Sequence, residues 1–362
     1  MECGLQCKSN KMNLMNNSGS NQSNCSCQIN PVDTLSRQLE SFLVPGIGCM
    51  GLLSNLIAIL VLRSPQLKST FHQSLLTLAI CDILFLLFIL GDIVIDVNHV
   101  FYIYMFPYFW NPLKNIAMSW ETFLIMSIAS ERFLAVCRPL LYRKRSLRTS
   151  SFIHLLTFIL PGLLFAIIIN VPKFFEVELV FEGGKVDFRM TDLRKDINYI
   201  YYYTHWTRLL ATGIIPLVFL VTTNTMVIIK VKEGKIESFK LRQQLQRNPR
   251  LQNERKPTST YLSLTLTGIV LVYIICNLPR LILNMVEYSL LEEIYALDDC
   301  GCTKAPWWIS SFIRSSHLLL TVNCSVNCSV NFFIYISFSK RFKKVFKIKI
   351  DVVLHKLRNC LG

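Results

Sequence analysis

The stretch FHQSLLTLAICDILFLLFILGDIVI, residues 71–95, decides the fold. Its apolar residues run on without the every-other-position alternation of a strand, and about 20 of them at 1.5 Å each span the hydrocarbon core of a bilayer. Backbone groups in that core find no water, so the run reads as a membrane-crossing helix. Two aspartates interrupt it, Asp82 near its middle and Asp92 near its end. An ionisable group at such depth is costly and points to function.

Six further runs extend the pattern, over roughly 42–63, 110–136, 151–171, 205–230, 259–284 and 307–336. The third and seventh in chain order carry the most polar residues. Of 362 residues, 52% are hydrophobic and only 17% charged, a composition that excludes an ordinary soluble domain. The expected fold is therefore an all-α integral membrane bundle of seven helices over 42–336. A tail precedes it over 1–41 and another follows over 337–362.

Residues 1–41 lack the apolar core of a signal peptide, so the first span is expected to insert itself. Asn16, Asn21 and Asn24 each begin an N-x-S triplet, which marks this tail as glycosylated outside the cell. Charge agrees, since Lys and Arg are retained on the cytoplasmic side. With the amino terminus outside, the cytoplasmic segments hold 25 of the 38 Lys and Arg residues. The +15 net charge is then a signal of topology and lipid contact, and does not imply nucleic acid. Localisation is expected at the plasma membrane.

Inside the spans the ionisable residues that matter most are Asp82, Glu121, Glu131 and Arg132. Eleven residues separate Glu121 from Arg132, within about 20° of a whole number of turns, so both share one helix face about 16 Å apart. Asn323-Cys-Ser and Asn327-Cys-Ser match the glycosylation triplet too, but within a span they read as hydrogen-bonding positions on a helix interface.

The motifs together resemble the rhodopsin-like (class A) G-protein-coupled receptors. They are Gly51-Leu-Leu-Ser-Asn55, Leu78-Ala79-Ile-Cys-Asp82, Glu131-Arg132-Phe133 with Cys137-Arg-Pro139, Pro216, Cys276-Asn-Leu-Pro279 and Asn331-Phe-Phe-Ile-Tyr335. Two strings, Asn170-Val-Pro-Lys-Phe-Phe-Glu176 and Thr191-Asp-Leu-Arg-Lys195, are similar to the second outer loop of invertebrate FMRFamide-type neuropeptide receptors. The resemblance implies a cell-surface receptor for an extracellular neuropeptide of RFamide type, coupled to a heterotrimeric G protein, with arrestin as a further partner. Another ligand class is the alternative, and beyond it a channel or transporter. No motif of an intramembrane hydrolase is present.

By that resemblance Glu131 holds Arg132 at rest, the sixth span swings outward on activation, and Arg132 then meets the G protein. Asn224 and Tyr335 complete the switch. Asp82, Glu121, Asn327, Ser329 and Asn331 form a central polar cluster, in which Asp82, Ser329 and Asn331, with Asn55, match family positions that hold water and often sodium, and Glu121 stands where the family generally has Ser. Two facing carboxylates either share a proton or hold a cation. No cofactor besides such an ion is implied.

The ligand pocket is expected at the outer ends of the spans. Candidates are Asp92, Asp96, His205, Trp206, Arg208, Arg280, Asn284, Glu287, Arg314 and His317. A ligand Arg needs an acid such as Asp92 or Glu287. The disulfide usual between third span and second loop is absent, because residues 172–204 contain no Cys. Cys25 or Cys27 bridged to Cys300 or Cys302 is one substitute, with local pairing or free thiols as the others. After the seventh span, Phe338, Phe342 and Phe346 recur every four residues among Lys and Arg, an amphipathic helix for the inner leaflet. Cys360 is its palmitoylation candidate, and Ser238 and Thr258 to Thr260 are the hydroxyl sites for phosphorylation.

Overall fold

A computed structural model describes residues 31–94, 100–148, 151–182, 185–245, 259–290 and 307–361. Asp96, the three N-x-S asparagines, Cys25, Cys27, Cys300, Cys302 and Thr258 lie outside them. Eight long helices dominate: α1 Pro31–Leu62, α2 Thr70–Val94, α3 Asn111–Cys137, α4 Ser151–Asn170, α5 Ile215–Leu245, α6 Ser259–Ser289, α7 Trp307–Phe338 and α8 Lys340–Leu361. Six of the helical stretches among the described residues are long and apolar enough to cross a membrane: those built on α1, α2, α4, α5, α6 and α7.

The third helix falls outside that set for a chemical reason. Over 27 residues α3 carries Lys114, Glu121, Glu131 and Arg132, and the last three are buried. It packs against α2, α4, α5 and α6, so its charged residues face protein instead of lipid. Hydropathy alone understates such a helix. The apolar core around it contains Leu78, Leu124, Ile128, Val270 and Tyr335.

Several elements differ from the spans read in the sequence. Helix α1 starts at Pro31, eleven residues before the apolar run at 42, so part of the expected tail is helical. Proline is favoured in a first helical turn, and Glu40 in this extension pairs with Arg314 of α7 at 2.7 Å. Before α5 the chain is helical from Ile197 and winds through wide π-type turns over Ile200–Thr207 and Leu210–Ile214.

The fold is also not wholly α. Strands β1 Val177–Glu182 and β2 Lys185–Met190 form an antiparallel hairpin, with Val177 opposite Met190 and Leu179 opposite Phe188. Apolar and polar residues alternate in KVDFRM and, apart from Val180, in VELVFE, the period of a strand, and Gly-Gly stands between them in the chain.

Helices α1 and α7 approach one another closely. A Cβ on Gly51 would overlap the Ser329 hydroxyl, so only glycine admits the contact. At the far end of α7 the chain breaks at Ser339 and continues as α8. Phe342 and Val345 of α8 are buried, and the Phe346 ring lies 5.5 Å from that of Phe332. These residues pack against the bundle, while Ile348, Val352, Val353 and Leu354 of the same helix are exposed. Phe338 belongs to α7 and is 42% exposed.

Candidate functional site

Three polar layers lie along α3. The first is at its carboxyl end. Arg132 Nη2 donates to Glu131 Oε1 at 2.9 Å, and both side chains are buried. The guanidinium also sits over the Phe71 ring of α2, 4.4 Å from its centroid, a cation–π contact that strengthens where water is excluded. The Tyr142 hydroxyl donates to the same Glu131 oxygen at 2.9 Å. Burial, then the Glu131 carboxylate, push the Tyr142 phenol up to about 12, which keeps it a donor at neutral pH. Glu131 Oε2 and Arg132 Nε are buried without partners among the described residues. Of the other two switch residues, Asn224 accepts from the Thr267 hydroxyl of α6 at 3.2 Å, tying α5 to α6. Tyr335 is fully buried and its hydroxyl finds no hydrogen-bond partner among the described residues.

The second layer is the central cluster. Asn331 donates to Asp82 at 2.7 Å, and Asn327 donates to Glu121. The Cys328 thiol donates to the second Glu121 oxygen at 3.4 Å. One ligand atom each from Asp82, Glu121 and Cys328 all lie within 4.8 Å of one another, and all three residues are buried. Asp82 Oδ1 has no hydrogen-bond partner among the described residues. Three converging ligand atoms with an unpartnered carboxylate oxygen fit a bound cation, and Asp82 and Glu121 are the residues that would hold it.

Two sequence candidates sit at the edge of this layer. Asn55 Nδ2 donates to the Gly51 and Cys328 carbonyls at 3.0 and 2.8 Å. The Ser329 hydroxyl donates to Ser325 and Ile47 carbonyls, so it faces α1 and not the carboxylates. Both hold α7 against α1.

The third layer lies at the hairpin end. Asp92 is already engaged, by Lys114 and by the Tyr102 hydroxyl, which removes it as a free acid for a ligand. Arg314 and His317 both face Glu40, at 2.7 and 3.6 Å. Arg208 donates to Asn115 Oδ1 at 2.9 Å, bracing α3 against the start of α5. His205 and Trp206 stack edge-on against Tyr288 of α6, with centroids 5.9 and 5.7 Å away. Asn284 and Glu287 are half-buried on α6. Arg280 lines a narrow cavity between α3, α6 and α7 together with Glu121 and Asn323.

The hairpin is anchored by Glu176. Its carboxylate accepts from Lys173 at 2.6 Å and from the Tyr199 hydroxyl at 2.8 Å, and lies 3.7 Å from Arg194. Burial would push this carboxyl up, but Lys173, Arg194 and the Tyr199 hydroxyl outweigh it and hold the group below its ordinary value. The sequence reading missed Phe71, Tyr142, Cys328, Glu40 and Lys173 as partners.

A family model for the 7 transmembrane receptor (rhodopsin family) matches residues 54–335. The chain belongs to this family, as a multi-pass receptor of the plasma membrane and not an enzyme. It is 30% identical over 316 residues to the FMRFamide receptor of Drosophila melanogaster, covering 83% of this chain and 51% of that one. The chain thus spans about half the length of that relative. It is also 23% identical over 341 residues to the Probable G-protein coupled receptor frpr-1 of Caenorhabditis elegans, covering 87% and 79%. A second probable G-protein coupled receptor of that organism is 23% identical over 286 residues, covering 73% and 62%.

Proposed function

We propose that the chain is a receptor for a neuropeptide with an amidated RFamide-like end, and that it passes the binding event to a heterotrimeric G protein. The likeness to the Drosophila FMRFamide receptor supports the ligand class. The amino terminus lies outside the cell in this reading, and the Arg132 end of the bundle faces the cytoplasm, where Lys and Arg concentrate.

The observation that carries the mechanism is the buried Glu131–Arg132 pair with its cap of Phe71 and Tyr142. In the closed bundle these groups hold the guanidinium. Moving α6 away from α5 breaks the Asn224–Thr267 contact and opens a cavity beside α3. Arg132 then turns outward to receive the G protein. An agonist drives this only by its differential affinity for the open state. In the central layer Asp82 and Glu121 share a proton or hold sodium, and either arrangement ties the layer to the resting bundle.

Acidic residues at 292, 293, 298 and 299 steer a cationic peptide toward the mouth, and with Asp92 engaged, Glu287 is the candidate acid among the described residues left for the ligand's Arg. The test is nucleotide exchange on a G protein in membranes, driven by an amidated-peptide library, with Arg132→Ala as control. Exchange that no amidated peptide raises, or that persists in Arg132→Ala, removes the reading.

A further inference from the structure

Beside the hairpin lies a second cavity, of about 360 Å³, which shares no residue with the narrow one and has none from α6 or α7 on its lining. It is set between the start of α3, the turn Val171–Phe175, the hairpin and the short helix Asp192–Lys195. Lys114, Lys173 and Arg194 line it against a single carboxylate, Glu176. Adding the charged groups bonded to lining side chains, Asp92 on Lys114 and Arg208 on Asn115, gives four cations to two carboxylates.

Both carboxylates are already engaged. Glu176 Oε1 accepts from Lys173 and from the Tyr199 hydroxyl, and its Oε2 lies 3.7 Å from Arg194, beyond a hydrogen bond. Among the described residues Arg194 donates only to the Thr204 hydroxyl, at 3.4 Å, and each lysine donates one of its three N–H groups. Positive charge in excess within a recess of low dielectric is stabilised by an anion, most strongly by one whose oxygens meet the Arg fork. Phe106, Val177 and Met190 give the same space an apolar wall.

We infer that this cavity is a binding site for an organic anion, a carboxylate or sulfate carried on an apolar body, with the anionic oxygens accepting from Arg194, Lys114 and Lys173 and the body lying against Phe106, Val177 and Met190. The inference goes beyond the peptide-receptor reading and does not depend on it. The lining selects the class. An ammonium or guanidinium would add to the positive excess, and a neutral ligand would leave it in place. A bare halide would fill a small part of the space, which at about 30 Å³ per water holds roughly ten non-hydrogen atoms. Such an anion has two sources, an acidic group on the activating peptide or a free organic acid.

The test titrates purified receptor in neutral-lipid nanodiscs with phenylacetate and with its neutral isostere phenylacetamide, read by saturation-transfer NMR. Wild type should prefer phenylacetate by about tenfold, the scale of one hydrogen bond between charged groups. Arg194→Gln should cut the preference to below about threefold, and Arg194→Lys, which keeps the charge but not the fork, should retain about half of it. Equal binding of the two fragments, binding of neither, or an unchanged preference in Arg194→Gln overturns the inference. The last result would mean that the anion is held elsewhere on a chain of +15 net charge. If Arg194→Gln does not fold, Lys114→Gln takes its place with the same outcomes. A second arm separates the sources by G-protein activation with Phe-Met-Arg-Phe-amide acetylated or succinylated at its amino end. A gain on succinylation that disappears in Arg194→Gln assigns the anion to the peptide, and equal potency assigns it to a free acid. If neither peptide acts while the fragment preference holds, the RFamide reading falls and the anion site stands.

Discussion

The Tyr142 hydroxyl and the Arg132 guanidinium share one oxygen of Glu131, each at 2.9 Å. The other Glu131 oxygen is buried and unpartnered. The buried pair thus has a third member that lies outside the Glu-Arg motif. Tyr142 holds the carboxylate in the position from which it holds Arg132.

Tyr142→Phe removes that hold without changing volume. Losing one hydrogen bond of about 1 kcal/mol from the resting state should raise ligand-free signalling about fivefold. Basal nucleotide exchange in membranes measures it. Exchange equal to wild type would show that Tyr142 does not restrain the pair.

Glu176 makes the hairpin end sensitive to acid. Its pKa in the folded protein lies below the ordinary 4.5, so its stabilising contribution is complete above that value and is lost as pH falls through the lower one. Thermal unfolding of purified receptor between pH 6 and pH 3 should fall more steeply for wild type than for Glu176→Gln, which has no carboxylate to titrate. Parallel curves would assign the acid sensitivity elsewhere.

Gly51 and Gly46 lie on the same helix with opposite surroundings. A Cβ at Gly51 meets Ser329 and Leu86, and one at Gly46 meets nothing within 4 Å. Gly51→Ala should destabilise by about 1–3 kcal/mol through overpacking. Gly46→Ala should stabilise by up to about 1 kcal/mol through helix propensity. Melting temperatures of the two variants should move in opposite directions, and a common direction would contradict the α1–α7 contact.

Phe342 is 1% exposed and its ring lies 5.6 Å from that of Tyr335. Phe342→Ala should lower stability by about 3–5 kcal/mol. Phe338→Ala, at a position 42% exposed, should have a much smaller effect. Yield and melting temperature in detergent compare them. Similar losses would mean that α8 is held by lipid and not by the bundle.

Most helices were legible in the sequence because a continuous apolar run has few other ways to be satisfied in a bilayer. The Asp82–Asn331 and Glu121–Asn327 bonds were legible as a cluster, since buried polar residues in a bundle need one another. What escaped reading came from contacts across helices. Nothing in the motif around Arg132 points to Phe71, which lies 61 positions earlier in the chain. Glu40 was read as tail because its surroundings are polar, yet its partner Arg314 is on α7. Cys328 lies inside an N-x-S triplet, where the asparagine carries the more visible hydrogen-bonding signal. The hairpin had a visible signal, alternation on both sides of Gly-Gly, hidden by the helical reading of its neighbours.

The Glu176 anchor gives the hairpin a property that a cross-link would not. A disulfide is either made or broken, and a reductant decides which. A carboxylate held by a lysine, an arginine and a phenol gives way in stages, each ligand released separately. The mouth of this receptor can therefore loosen by degrees, and the redox state of its surroundings has no direct say over that tie.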